Sequence, residues 1–170
     1  MNRKEGERKM VKRMPISRKG YNTLRQELDR LKQQDRIEVV KAIGIAREHG
    51  DLRENAEYHA AKERQGYIEG RIIELEDKIS RAEIIDCTKV NCERVVFGTV
   101  VSLFDLDADE ELTYQLLGPN EADVKAGSIS VTSPLGQSII GKCVGDAVTA
   151  RTPGGIREFE IMAIVPSSFD

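Results

Sequence analysis

Tryptophan is absent from the 170-residue chain, and aromatic residues make up only 5% of it. With 39% hydrophobic against 32% charged residues, it holds too little apolar material for one large core. Long exposed helices beside a small compact domain fit these proportions. No run of about 18 apolar residues occurs, which excludes a helical membrane span. The start, MNRKEGERKMVKR, has no apolar stretch of the kind a secretory signal requires, so a cytoplasmic location is expected. Cys87, Cys92 and Cys143 form no CxxC pair, and His49 and His59 match no ligand spacing, so a zinc site is not expected. The thiols read instead as small buried or half-buried groups in a reducing compartment. A concentrated basic stripe is also missing, which argues against binding to duplex DNA.

The net charge of −3 is unevenly divided. Residues 87–170 hold 6 basic and 12 acidic side chains, leaving 20 basic and 17 acidic in 1–86. A weakly basic front half and an acidic back half suggest two surfaces with different partners.

The chain divides into three parts. Residues 1–14 form a basic, flexible tail. Residues 15–86 carry two long helical patterns. Ser17 is a candidate N-cap. Leu24, Leu28 and Leu31 make an apolar stripe, which Val39, Ile43 and Ala46 continue with a shift. Asp35 falls on that seam, as a weak point or a stutter. After Gly50 a second helix is expected from near Glu54 to about Ala82, with Tyr58, Ala61, Ile68, Ile72, Leu75, Ile79 and Ala82 on its seam and Gln65 among them. Charged residues fill the intervening positions, as on the wet face of a coiled coil. A short loop between long helices makes them antiparallel, and about 30 residues at 1.5 Å each give an arm of roughly 45 Å. The two seams cover each other, so a monomer is expected. The acidic loop at 49–54 is then the tip.

Residues 87–170 read as a small domain with a mostly antiparallel sheet. Strand-like runs fall at Val95–Leu106, Leu112–Leu117, Ser128–Thr132, Ala147–Thr152 and Ile156–Val165, with turns at Gly118-Pro119-Asn120 and Pro153-Gly154-Gly155. Ser133 caps a short helix with Pro134 in its first turn. The fold class is therefore α+β.

The tip is the candidate site. Asp51 and Glu54 lie three residues apart, so their carboxylates can share a face where the second helix begins. Two bland roles compete: acids near a helix N-terminus interact favourably with its dipole, and Asp51 is itself a candidate cap. The chemical alternative is a partial magnesium site, since that ion is often held by one or two carboxylates together with water and phosphate oxygens. Arg47, Arg53, Lys62 and Arg64 place positive charge at the same end, suited to phosphate contacts.

The stretch EHGDLRENAEYHAAKERQ (48–65) with EGRI (69–72) strongly resembles the bacterial Gre transcript cleavage factors, GreA type. The likeness continues through VVFGTVVSL (95–103), ISVTSPLGQSIIGK (129–142) and TPGG (152–155). It implies an N-terminal antiparallel coiled coil and a C-terminal domain similar to FKBP-type immunophilins. It further implies that the C-terminal domain docks at the rim of the secondary channel of RNA polymerase while the coiled coil enters the channel. Asp51 and Glu54 would then help hold the polymerase's second Mg²⁺ and a water beside the extruded 3′ end of nascent RNA. The polymerase's own cleavage of backtracked RNA is stimulated, and Arg47 and Lys62 steer the RNA. On this resemblance the factor is not itself an enzyme and holds no metal in isolation. The chain departs from the family pattern at Ile37, Gly44, Ile45 and Gln137.

Rival readings are a channel-binding inhibitor of cleavage, a peptidyl-prolyl isomerase, a free-standing nuclease and a plain scaffold. An inhibitor would alter the acidic tip. An isomerase needs an aromatic-lined pocket, and 87–170 offer only Phe97, Phe104, Tyr114, Phe159 and Phe169. Two carboxylates are too few for an independent nuclease, and a scaffold leaves the loop unexplained.

Overall fold

The computed structural model describes residues 13–50 and 52–168. Most of the tail expected over 1–14, together with Asp51 and Phe169, lies outside the described residues. Met14, expected in the tail, instead opens strand β1 (Met14–Ser17). Two compact units emerge: a helical one spanning Leu24–Glu83, and a sheet one that joins Pro15–Thr23 to 84–168. Residues 15–23 belong with the sheet unit because Glu121 holds them there. Its carboxylate accepts hydrogen bonds from the Ser17 backbone N–H and hydroxyl and from the Gly118 N–H. Ser17 in turn accepts from Gly20 N–H at 2.9 Å, so it caps the following helix.

The first long helix is not continuous. Helix α1 (Arg18–Arg30) passes through a π-helical turn at Leu31–Asp35 into α2 (Arg36–Glu48). Arg36 N–H reaches back to Leu31 O, the wider loop that takes in one extra residue. That is where the apolar stripe shifts, between Leu31 and Val39. The π-turn thus absorbs the mismatch locally, and the same face stays inward on both sides of it. Leu24, Leu28, Leu31, Val39, Ile43 and Ala46 are all buried. Asp35 is half-buried and its carboxylate lies 3.5 Å from Arg30.

Helix α3 (Ala56–Arg81) buries Ile68, Ile72 and Leu75, while Tyr58, Ala61, Gln65 and Ile79 are half-buried. Ion pairs cross between the helices in antiparallel order, from Lys32–Glu76 at 2.6 Å through Arg36–Glu69 to Arg64–Glu38. Arg71 forks onto Glu27 at 2.7 and 3.0 Å and also reaches Glu74, contacts that raise its pKa. Ile37 and Ile45 are exposed, so these two departures from the family pattern lie on the wet face. Gly44 has open space around it. Gly44→Ala is expected to stabilise the helical unit by about 1 kcal/mol through helix propensity alone, read as a higher denaturation midpoint in urea. Among the described residues no helix is long and apolar enough to cross a membrane.

The expected helix end at Ala82 is instead the start of β2 (Ala82–Ile85), which pairs with β1. Five further strands form one sheet: β3 (Thr99–Asp105), β4 (Glu110–Leu117), β5 (Ser128–Ser130), β6 (Ala147–Thr152) and β7 (Gly155–Pro166). Their order is β5-β4-β3-β7-β6, antiparallel except for the β4–β5 pair. The short helix α4 (Pro134–Ile139) is capped by Ser133, as the sequence suggests. Val101, Leu103, Leu116, Phe159 and Ile161 form the core with Ile139 of α4.

Asp105 ends β3 fully buried. Burial pushes its pKa up, but the Arg157 guanidinium at 2.8 Å and the Ala108 and Asp107 N–H groups at 3.0 Å outweigh that, and the net shift is downward. Asp86 is likewise lowered, to about 2, chiefly by Lys89 and then Thr88. A carboxyl whose pKa is lower folded than unfolded contributes stability above its unfolded value, about 3.9, and loses it as pH falls through the folded value. Thermal melts between pH 7 and pH 2 should therefore show stability declining below about pH 4. Asp105→Asn should lower stability at neutral pH and flatten that decline. An equally steep acid limb in the variant would remove Asp105 from its cause.

Candidate functional site

The loop joining α2 to α3 carries the candidate residues. Helix α2 ends at Glu48, with His49 as its C-cap, and Gly50 turns the chain with φ of +87°. Glycine takes this left-handed conformation without the clash a Cβ would bring. Gly50 N–H donates to Arg47 O at 3.4 Å. Residues 52–54 form a turn, and Leu52, Arg53 and Glu54 are all exposed.

Two expectations about the tip change. The second helix begins at Ala56, not near Glu54, and its N-cap is Asn55, whose side chain accepts from Tyr58 N–H at 3.0 Å. Residues 52–54 are not helical, so Glu54 lies on no face of α3. Nor does Glu54 occupy the first turn of α3, where Glu57 sits instead. The helix dipole, which acts within the first turn, is then a poor reason for an acid at position 54. Glu54 makes no hydrogen bond or ion pair with any described residue. Asp51 lies outside the described residues.

The basic candidates differ from one another. The Arg47 guanidinium carbon stands 6.0 Å from the centre of the Tyr58 ring, at the outer limit of a cation–π contact. Lys62 is exposed and donates to Gln65 at 2.8 Å. Arg64 pairs with Glu38, which gives it a structural role.

Sequence reasoning passed over Asn55 and His59. Asn55 Nδ2 also donates to Ala46 O at 2.8 Å, and His59 Nε2 lies 3.1 Å from Arg53 O. The strong N-cap preference of asparagine was a legible signal for the first of these roles. Nothing local announced its second bond, nine residues back.

No group of three or more His, Cys, Asp or Glu placed to hold a metal occurs among the described residues. The donor chemistry at the tip nevertheless fits a shared ion: an unpaired carboxylate oxygen suits magnesium as one ligand among several supplied from elsewhere. In the sheet unit a cleft of about 410 Å³ is lined in part by Asp105, Leu112, Tyr114, Leu135, Arg157 and Phe159. Phe159 is 2% exposed and is used by the core.

The described residues thus make a helical hairpin, with Glu54 exposed on the turn that joins its helices, and a separate sheet unit. Residues 14–84 match the model for "Transcription elongation factor, N-terminal", and residues 90–166 match "Transcription elongation factor, GreA/GreB, C-term". The transcription elongation factor GreA of Desulfotalea psychrophila is 62% identical over 160 residues, covering 94% of this chain and 99% of its own. That of Phenylobacterium zucineum is 54% identical, covering 91% and 98%. Among solved structures, GreA factor homolog 1 of Thermus thermophilus is 35% identical, with 89% and 98% coverage and a TM-score of 0.41. The chain belongs to the GreA/GreB family of transcription elongation factors.

Proposed function

We propose that this factor inserts its helical hairpin into the secondary channel of RNA polymerase and stimulates the polymerase's own cleavage of backtracked RNA. The observation that carries this reading is Glu54: exposed on the turn that joins α2 to α3, outside α3 and without a partner among the described residues. Membership of the elongation-factor family supports it.

On this reading Glu54 and Asp51 supply carboxylate oxygens to a magnesium ion whose remaining ligands belong to the polymerase and the RNA. Bound there, the ion would lower the pKa of a water and neutralise charge developing on the phosphate. The two carboxylates also accept hydrogen bonds from that water and so orient it. Arg47 and Lys62 hold the extruded RNA 3′ end by its phosphates. The sheet unit docks at the channel rim. The factor acts in the cytoplasm as a monomer, and bond cleavage belongs to the polymerase, not to this chain.

The test uses a stalled, backtracked elongation complex with labelled RNA and magnesium, beside the same RNA without polymerase. Cleavage should accelerate on adding the factor to the complex, and naked RNA should stay intact. Cleavage of naked RNA would make the chain a nuclease. Slower cleavage in the complex would make it an inhibitor that plugs the channel.

A further inference from the structure

The acids at the tip are useful only if the loop that carries them is held still. Each helix end leaves backbone groups unsatisfied, carbonyls at the end of α2 and N–H groups at the start of α3. Gly50 N–H bonds to Arg47 O at 3.4 Å, closing the C-terminal turn of α2 with Gly50 in its left-handed conformation. The Asn55 amide bonds to one terminal backbone group of each helix. Its oxygen accepts from Tyr58 N–H at 3.0 Å, and its nitrogen donates to Ala46 O at 2.8 Å. A second tie lies 3.1 Å long between His59 Nε2 and Arg53 O, next to Glu54.

We infer that Asn55 is a positioning residue for the cleavage function: by bridging the C-terminal end of α2 to the N-terminal end of α3, it sets the span of the acidic loop and the placement of Glu54. This rests on the cleavage reading above. Capping alone does not require asparagine, since serine and aspartate cap about as well. Only an amide combines the capping acceptor with a donor that reaches across to Ala46. Aspartate keeps the cap but faces the Ala46 carbonyl with a second acceptor. Serine keeps the cap but is one atom too short and carries one hydroxyl proton. Misplacing a reacting group by about 1 Å can cost on the order of a hundredfold in rate.

The experiment compares the wild type, Asn55→Ser and Asn55→Asp on the backtracked complex, titrating the factor to separate its half-saturating concentration from the maximal cleavage rate. Hydrogen exchange of the free proteins is measured alongside. Both variants should keep their thermal midpoints and half-saturating concentrations. The maximal rate should fall roughly ten- to a hundredfold, and amides of the 49–54 loop should exchange faster with those of 60–80 unchanged. Maximal rates equal to wild type would overturn the inference and reduce Asn55 to a cap. A change confined to the half-saturating concentration would overturn it too, because the residue would then serve docking. If the wild type itself fails to stimulate cleavage, the underlying reading fails instead, and the exchange data alone decide whether Asn55 holds the loop.

Discussion

Glu54→Ala should lower the maximal rate of stimulated cleavage by about two orders of magnitude, the usual cost of removing one preorganised charged group from a reacting centre. Asp51→Ala should do the same. Neither change should weaken attachment to the polymerase, because the docking surface assigned above is the sheet unit. Stability should be untouched as well: Glu54 is exposed, has no partner among the described residues and lies outside the first turn of α3. Surface changes of that kind usually stay within about 0.5 kcal/mol. The measurement is cleavage at saturating factor, with competition against labelled wild type for polymerase as the binding control. Glu54→Gln sharpens it, since the amide keeps size and polarity but lacks the charge a divalent cation prefers. Full activity in both alanine variants would leave the loop as a plain connection between helices.

Gly136→Ala should be the most damaging small substitution in the sheet unit. Gly136 lies inside α4 and is buried. A methyl group there would stand 2.1 Å from Ser130 O and 3.0 Å from the Ser130 carbonyl carbon. The Ser130 carbonyl is ill placed to retreat. It accepts from Ser133 N–H at 2.9 Å and from the Ser133 hydroxyl at 2.7 Å, and that hydroxyl accepts from Gly136 N–H at 3.0 Å. Relief requires moving α4 off β5 and breaking the cap. A cost of about 3 kcal/mol is expected, at the upper end for overpacking, and for a unit of this size it should lower Tm by more than about 10 °C. Gly44→Ala is the matched contrast, the same added methyl in open space with the opposite sign. An unchanged Tm for Gly136→Ala would mean that α4 yields where its packing against β5 is drawn as rigid.

The glycine of SPLG was legible as part of a motif, but its reason was not. That difference runs through the protein. Seam residues such as Leu24, Leu28, Val39 and Ile43 announce themselves because burial on a helix repeats with its own turn, a local periodicity written directly into residue order. Ser133 and Pro134 mark the start of α4 for equally local reasons, as do the turns at 118–120 and 153–155. Asp51 and Glu54 were legible as candidates because an acidic pair beside a helix-breaking glycine is conspicuous in one dimension.

Other features depend on what meets what. The shift between Leu31 and Val39 was visible, but a π-turn and a stutter place the same letters differently, and packing against α3 selects the turn. Asp105 reads as one acid in an acidic loop until β7 brings Arg157 beside it, 52 residues later. The parallel pairing of β4 with β5 depends on the route of the intervening chain. At the tip, residue type alone nominated Glu54, while the helix start at Ala56 placed it outside the first turn of α3 and Asn55 took the capping role and the bridge to Ala46. Periodicity and caps act over a single turn of backbone, so they are written in order; buried pairs, close approaches and bridges join segments far apart in sequence, and only folding brings them within bonding distance.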